Sequence, residues 1–175
     1  MSEEDDTAPV ADTLNEVGVL KRREIEARIV APLLQRLGEE FGAERVAELA
    51  AEVVVDVARE QGAQLAEFMG GDDLAHFGGS MEAWTRGGAL EIDVIEESRE
   101  VFAFNVTRCR YAEMYRRLGM ADLGATLSCN RDGTMIQGFN PRIRFTRTQT
   151  IMSGADHCDF VYQLPETTVE LGESG

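Results

Sequence analysis

Cys109, Cys129 and Cys158 all fall in the C-terminal half of a 175-residue chain, and His157 stands directly before the last of them. A thiol near an imidazole suits two chemistries. A thiolate is a nucleophile that divides a difficult displacement at carbon into two smaller steps, with histidine moving the protons. Soft thiolates and an imidazole also suit zinc or iron, which activate water. For a metal the candidate ligands are Cys109, Cys129, Cys158 and His157, but no C-x-x-C pair occurs, and zinc sites usually contain at least one close pair. The spacing neither supports nor excludes a metal. Three is an odd number, so reduced thiols are expected rather than a disulfide framework.

Cys129 is the best placed of the three for reactivity. It lies in "SCNRDG", where Ser128, Asn130 or Asp132 suits the cap of a short helix, and a helix N-terminus favours thiolate. Asp132 is near enough in sequence to serve as acid, base or cation anchor, although Asn and Asp here also suit simple capping. In "GADHCDF", Cys158 shares its strand parity with Phe160, Tyr162 and Leu164 and so points inward. His157 and Asp159 then point the other way, which argues against a His157–Cys158 couple.

Arg147 breaks the apolar row of its own segment. It shares a face with Ile143, Phe145, Gln149 and Ile151, because side chains two apart in a strand point the same way. A buried guanidinium needs a partner. Two readings fit: a structural ion pair, or a grip on a ligand carboxylate through two parallel hydrogen bonds.

The elements that must position these residues change period along the chain. Ile25, Ile29, Leu33 and Leu37, with Val30 and Leu34 beside them, form the apolar stripe of a helix that Pro32 should bend or split and Gly38 should stop. Val46, Leu49, Val53, Val57, Leu65 and Phe68 trace the face of a second helix, slimmed by alanines and ended by Gly70 and Gly71. A short broken helix follows, with Leu74, Phe77, Met81 and Trp84 inward. Alternation then sets in: Leu90, Ile92 and Val94, a hairpin through 97–100, and Phe102, Phe104 and Val106. Thr107 is the expected N-cap of a helix carrying Tyr111, Met114, Tyr115 and Leu118. Short helical pieces come next, and "PRIRFTRTQTIM" and "CDFVYQL" read as two last strands. The expectation is an α+β domain over 19–164, with N-terminal amphipathic helices packed on an antiparallel sheet of about four strands. Acidic flexible tails are expected over 1–18 and 165–175.

Seventeen basic residues against 32 acidic give a net charge of −15, which repels polyphosphate backbones and anionic lipid surfaces. Nucleic acid and membranes are therefore not expected as partners. The apolar runs are far shorter than the ~20 residues of a membrane span, and the start is acidic where targeting peptides are basic. The cytoplasm is the expected compartment.

In "FNVTRCRYAEMYRRLG", "LGATLSCNRDG" and "GFNPRIRFTRTQTIMSGADHCDF" the chain resembles the L-2-amino-thiazoline-4-carboxylic acid hydrolase family, from the first amphipathic helix through Tyr162. The resemblance implies hydrolysis of a small ring at an amidine-like carbon bonded to sulfur and two nitrogens. It implies Cys129 as nucleophile, Asp132 or Asp159 holding the cationic nitrogens, and His157 transferring protons. Arg147 would hold the substrate carboxylate, with Asn130 and Gln149 as further substrate contacts and Cys109 and Cys158 completing the thiol set. No cofactor is required, zinc or iron being the alternative. A homo-oligomer is compatible with the sequence. A non-catalytic small-molecule-binding or thiol redox-sensing domain is the other class, since sensors use exposed thiols of low pKa.

Overall fold

The computed structural model describes residues 16–165, so the expected tails lie almost wholly outside the described residues. Two long helices, α1 (Val19–Phe41) and α2 (Ala43–Met69), lead into the short helices α3 (Leu74–Gly79) and α4 (Glu82–Thr85). Strands β1 (Leu90–Glu97) and β2 (Val101–Cys109) follow, then α5 (Arg110–Arg117), α6 (Ala121–Gly124) and α7 (Arg131–Phe139), and finally β3 (Arg144–Thr146) and β4 (Cys158–Gln163). The strands form one antiparallel sheet in the order β1-β2-β4-β3. This is the α+β arrangement expected from the change of period.

Aromatic alternation builds the core. Phe102, Phe104 and Val106 on β2 lie opposite Tyr162, Phe160 and Cys158 on β4, and their inner face packs on Phe77, Ile136 and Phe139. The Phe104 and Phe160 rings stack at 5.0 Å between centroids. A second cluster joins Ala27 of α1 to Met114 and Tyr115 of α5 and to Leu127.

Several local expectations are corrected. Helix α1 runs unbroken through Pro32 and past Gly38 to Phe41. Pro32 is exposed, so the carbonyl it leaves without a helical partner is on the solvent side, where water replaces the lost bond. Gly42, at φ 94°, makes the turn into α2 instead. On β1, Leu90 and Ile92 are inward but Val94 is exposed, because register shifts between Glu91 and Ile92 and between Val94 and Glu96 rotate the edge strand. The third strand is shorter than expected: ladder pairing stops at Thr146. Beyond it, Asp159 accepts from the Thr148 and Gln149 N–H groups at 2.8–3.1 Å and from the Thr148 hydroxyl at 2.6 Å.

The faces of α1 and α2 differ in part from expectation. Val46 and Leu65 on α2, and Val30 and Leu34 on α1, pack inward as expected, and Ala27, Ala31, Ala58 and Gly62 are buried, while Ile25, Ile29, Leu33, Leu49, Val53, Val57 and Phe68 are exposed. Small residues are buried because α2 and α7 approach closely.

Candidate active site

Cys129, Asp132 and Arg147 meet at the start of α7. Between α6 and α7 the chain forms a π-helical stretch, Ala125–Cys129, in which the Asn130 N–H donates to the Ala125 carbonyl at 2.9 Å. Cys129 ends that stretch. Asp132 stands in the first turn of α7, where a carboxylate suits the positive end of a helix. Asn130, the expected substrate contact, is the exposed N-cap residue, with no capping bond from its side chain.

Arg147 has its partner within the chain. Its Nη1 donates to Asp132 Oδ2 and its Nη2 donates to the Cys129 carbonyl at 3.2 Å. The guanidinium also lies 5.6 and 5.3 Å from the ring centroids of Phe145 and Phe160. Only 15% of the Arg147 side chain is exposed, against 31% for Asp132. Of the two readings the sequence allows, the ion pair is the one formed. A substrate carboxylate would find this guanidinium already engaged.

The three thiols share one electrostatic neighbourhood, since charge on Cys109 or Cys158 acts on Cys129 and charge on Cys158 acts on Cys109. Their ionisation is the reverse of the expected activation. Burial pushes Cys129 up to about 12, with the Asp132 charge adding to it, and pushes Cys109 up to about 11. Burial raises Cys158 as well. All three are neutral thiols at neutral pH.

Cys129 stands one residue before Asn130, the N-cap of α7, as expected, but the thiol that itself caps a helix is Cys109. Strand β2 runs two residues beyond Thr107, and Cys109 Sγ accepts from the Ala112 N–H at 3.4 Å as N-cap of α5. Thr107 instead donates its hydroxyl to the Glu91 carbonyl at 3.4 Å across the sheet. Cys158 Sγ accepts from the Ile151 N–H at 3.1 Å. Cys158 is buried, as strand parity required.

Asp132 is the electrostatic centre. Burial raises its carboxyl to about 6, against the opposing pull of Arg147. Its charge acts in turn on all three thiols and on the buried Tyr111 and Tyr162. The two tyrosines were not singled out from sequence, since aromatic residues on core-facing positions carry no chemical signature there.

His157 and Asp159 have other engagements. His157 Nδ1 lies 2.6 Å from Asp156 Oδ1, and its Nε2 lies 2.9 Å from the Gln149 amide nitrogen. Burial pushes the Asp159 carboxyl up, but the Thr148 hydroxyl and the backbone N–H groups outweigh it and hold it below the usual range. Asp159 is a staple for 147–149. Among the described residues no three His, Cys, Asp or Glu side chains form a metal-holding group, so the expected set of Cys109, Cys129, Cys158 and His157 is not assembled.

Arg131 was missed as well. It is half-buried at the first position of α7, donates to Gln61 Oε1, and forms no ion pair among the described residues. Burial and the neighbouring Arg23 lower it to about 10. The charges of Glu26 and Asp132 act on it from nearby, and the only hint in the sequence is its place between Asn130 and Asp132. A cleft of about 640 Å³, lined by Lys21, Arg108 and Arg117 with their acidic partners Glu24, Glu91 and Glu113, lies near the start of α1 and contains none of the expected site residues.

The model of the L-2-amino-thiazoline-4-carboxylic acid hydrolase family matches residues 22–162. The chain belongs to that family. The match spans every element from α1 to β4 and so takes in all three thiols, Asp132 and Arg147. No curated protein matches the chain. Among solved structures, the phenol-responsive sensory domain of the transcription activator PoxR with phenol is similar at a TM-score of 0.50 and 14% identity, covering 77% of this chain and 72% of that one. A trafficking protein particle complex subunit 3 from Naegleria fowleri, covalently bound to palmitic acid, gives a TM-score of 0.48 at 8% identity, over 83% of this chain and 96% of that one. At its identity, the first likeness speaks to the fold alone. No helix among the described residues is long and apolar enough to cross a membrane.

Proposed function

We propose that this member of the thiazoline carboxylate hydrolase family opens a small cyclic amidine or thiazoline carboxylate by adding water at the amidine carbon, with Cys129 as nucleophile and Asp132 as its base. One observation supports this above the others. Arg147 holds the Asp132 carboxylate and the Cys129 backbone together, fixing a base of pKa about 6 relative to a thiol.

At rest the thiol is neutral. A cationic amidinium beside Cys129 favours the thiolate, because opposite charge stabilises the ionised form. The Cys129 proton moves to Asp132 as the sulfur–carbon bond forms at the amidine carbon. Asp132 returns that proton to the leaving nitrogen or sulfur as the ring bond breaks. Water then attacks the same carbon, the bond from that carbon to Cys129 Sγ breaks with its electron pair and one water proton going to the sulfur, and the opened product leaves. The substrate carboxylate binds Arg131, whose guanidinium donates to the neutral Gln61 and forms no close ion pair among the described residues. The neutral thiols, half-buried at Cys109 and Cys129 and buried at Cys158, weigh against the redox-sensing alternative, which needs exposed thiols of low pKa.

The test is ring opening of a panel of thiazoline, cyclic amidine and hydantoin-like carboxylates, followed by proton NMR. Turnover by the wild type, abolished in a folded Cys129→Ser variant, is the expected result. Saturable binding of these compounds without turnover would assign the site to a ligand-binding domain instead.

A further inference from the structure

The two long helices each present a second apolar stripe, one that the rest of the chain does not cover. Ile25, Ile29 and Leu33 recur every four residues on α1 and are 52%, 67% and 54% exposed. Leu49, Val53 and Val57 do the same on α2 at 43%, 63% and 39%, and Phe41 at the tip between the helices is 68% exposed. The opposite faces, through Ala27, Ala31, Ala58 and Gly62, are packed on the body of the fold. A helix with apolar residues on both sides is one that is covered on both sides.

We infer that this face binds a second copy of the chain, α1 and α2 of one protomer crossing those of its partner. Area is the first argument. The seven side chains expose roughly 700 Å² together, close to the ~800 Å² that each partner contributes to a standard interface and above the usual largest patch on a monomer. Ridge geometry is the second. Both stripes follow the fourfold spacing whose ridges interdigitate with ridges of the same kind, so the surface is complementary to itself in an isologous pair.

Charge is the third argument, and it sets the arrangement. Helix α1 carries five basic and four acidic residues, whereas α2 carries two and six. Placing α1 of one protomer on α2 of the other joins the more basic helix to the more acidic one, while like-on-like pairing sets acid against acid.

Light scattering coupled to gel filtration of the full chain should return twice 19.3 kDa at micromolar concentration. Ile29→Glu and Val53→Glu should each return one chain mass with an unchanged far-UV circular dichroism spectrum, because neither side chain touches the core. The milder Ile29→Ser should raise the dimer dissociation constant at least tenfold by analytical ultracentrifugation. A monomeric wild type would overturn the inference, and so would Glu variants that stay dimeric. A monomer whose Ile29→Glu variant loses binding to neutral phosphatidylcholine vesicles would reassign the face to lipid.

Discussion

Gly138 of α7 lies so close to Arg59 of α2 that a Cβ on Gly138 would sit 1.9 Å from the Arg59 carbonyl oxygen. Gly62 repeats the relationship in the other direction, its absent Cβ falling 2.0 Å from the Met135 carbonyl oxygen. Both obstacles are backbone, so no side-chain rotation relieves them. Gly62→Ala and Gly138→Ala should each destabilise the fold by about 3 kcal/mol or more, as overpacking of a rigid contact does. Urea denaturation checks this; a loss below ~1 kcal/mol at both positions would show that the two helices separate easily.

Arg147 and Arg131 should separate by what they do. Arg147→Met leaves Asp132 without its partner in a largely buried setting and should cost about 2–4 kcal/mol of stability, as breaking such a pair does. Arg131→Met has no ion pair to break. It should leave the denaturation midpoint nearly unchanged while weakening carboxylate substrates far more than their amide analogues, which make no charge-assisted pair. Equal weakening of acid and amide would remove Arg131 from the substrate site.

The pH dependence follows from Asp132. Its pKa is raised from the ordinary aspartate value to about 6, so between about pH 4 and pH 6 the folded chain holds a proton that the unfolded chain has released. The Asp132 contribution to stability is therefore fully present at the acid end and falls as pH rises through that window. Glu24, Asp73, Glu113, Asp156 and Asp159 are lowered instead and slope the other way, so the readout is the difference between wild type and Asp132→Asn. Relative to Asp132→Asn, the wild type should lose stability from pH 4 to pH 6 and then level off as the carboxyl ionises fully in both states. Ring opening should rise over the same range with an apparent pKa near 6, a step that Asp132→Asn removes.

Alkylation should report the neutral thiols. With Cys109 near 11 and Cys129 near 12, iodoacetamide at pH 7 should modify the folded protein at least ~100-fold more slowly than a free thiol, and the rate should keep rising above pH 9. Rapid stoichiometric labelling at pH 7 would mean an activating charge near one of the thiols. Among the three, the buried Cys158 should react last.

The parts of the fold that were legible in the sequence are those where large side chains alternate. Phe102, Phe104 and Val106 declare β2, and Cys158, Phe160 and Tyr162 declare β4, because a period of two with aromatic residues has one interpretation. The facing of α1 and α2 was not legible. Apart from Val19 and Val46 the buried residues there are alanine and glycine, whose hydrophobic signal is weak, while Ile25, Ile29 and Leu33 mark the uncovered side. The need of Arg147 for a carboxylate was readable from its apolar neighbours. Which carboxylate was not, because Asp132 reaches it from another element. Cys109 escaped as a cap because Thr107, a better capping type, precedes it, and only the true end of β2 decides between them.

The π-helical stretch before Cys129 has a consequence for chain length. A π turn accommodates one residue more than an α turn, so 125–129 contains a surplus residue. Deleting one residue there would restore ordinary helical bonding and, at 3.6 residues per turn, rotate everything upstream by about 100° relative to Cys129 and Asp132. Tyr115 and Leu127 would lose their common packing while every site side chain kept its identity. In this segment the number of residues constrains the site more tightly than their kind.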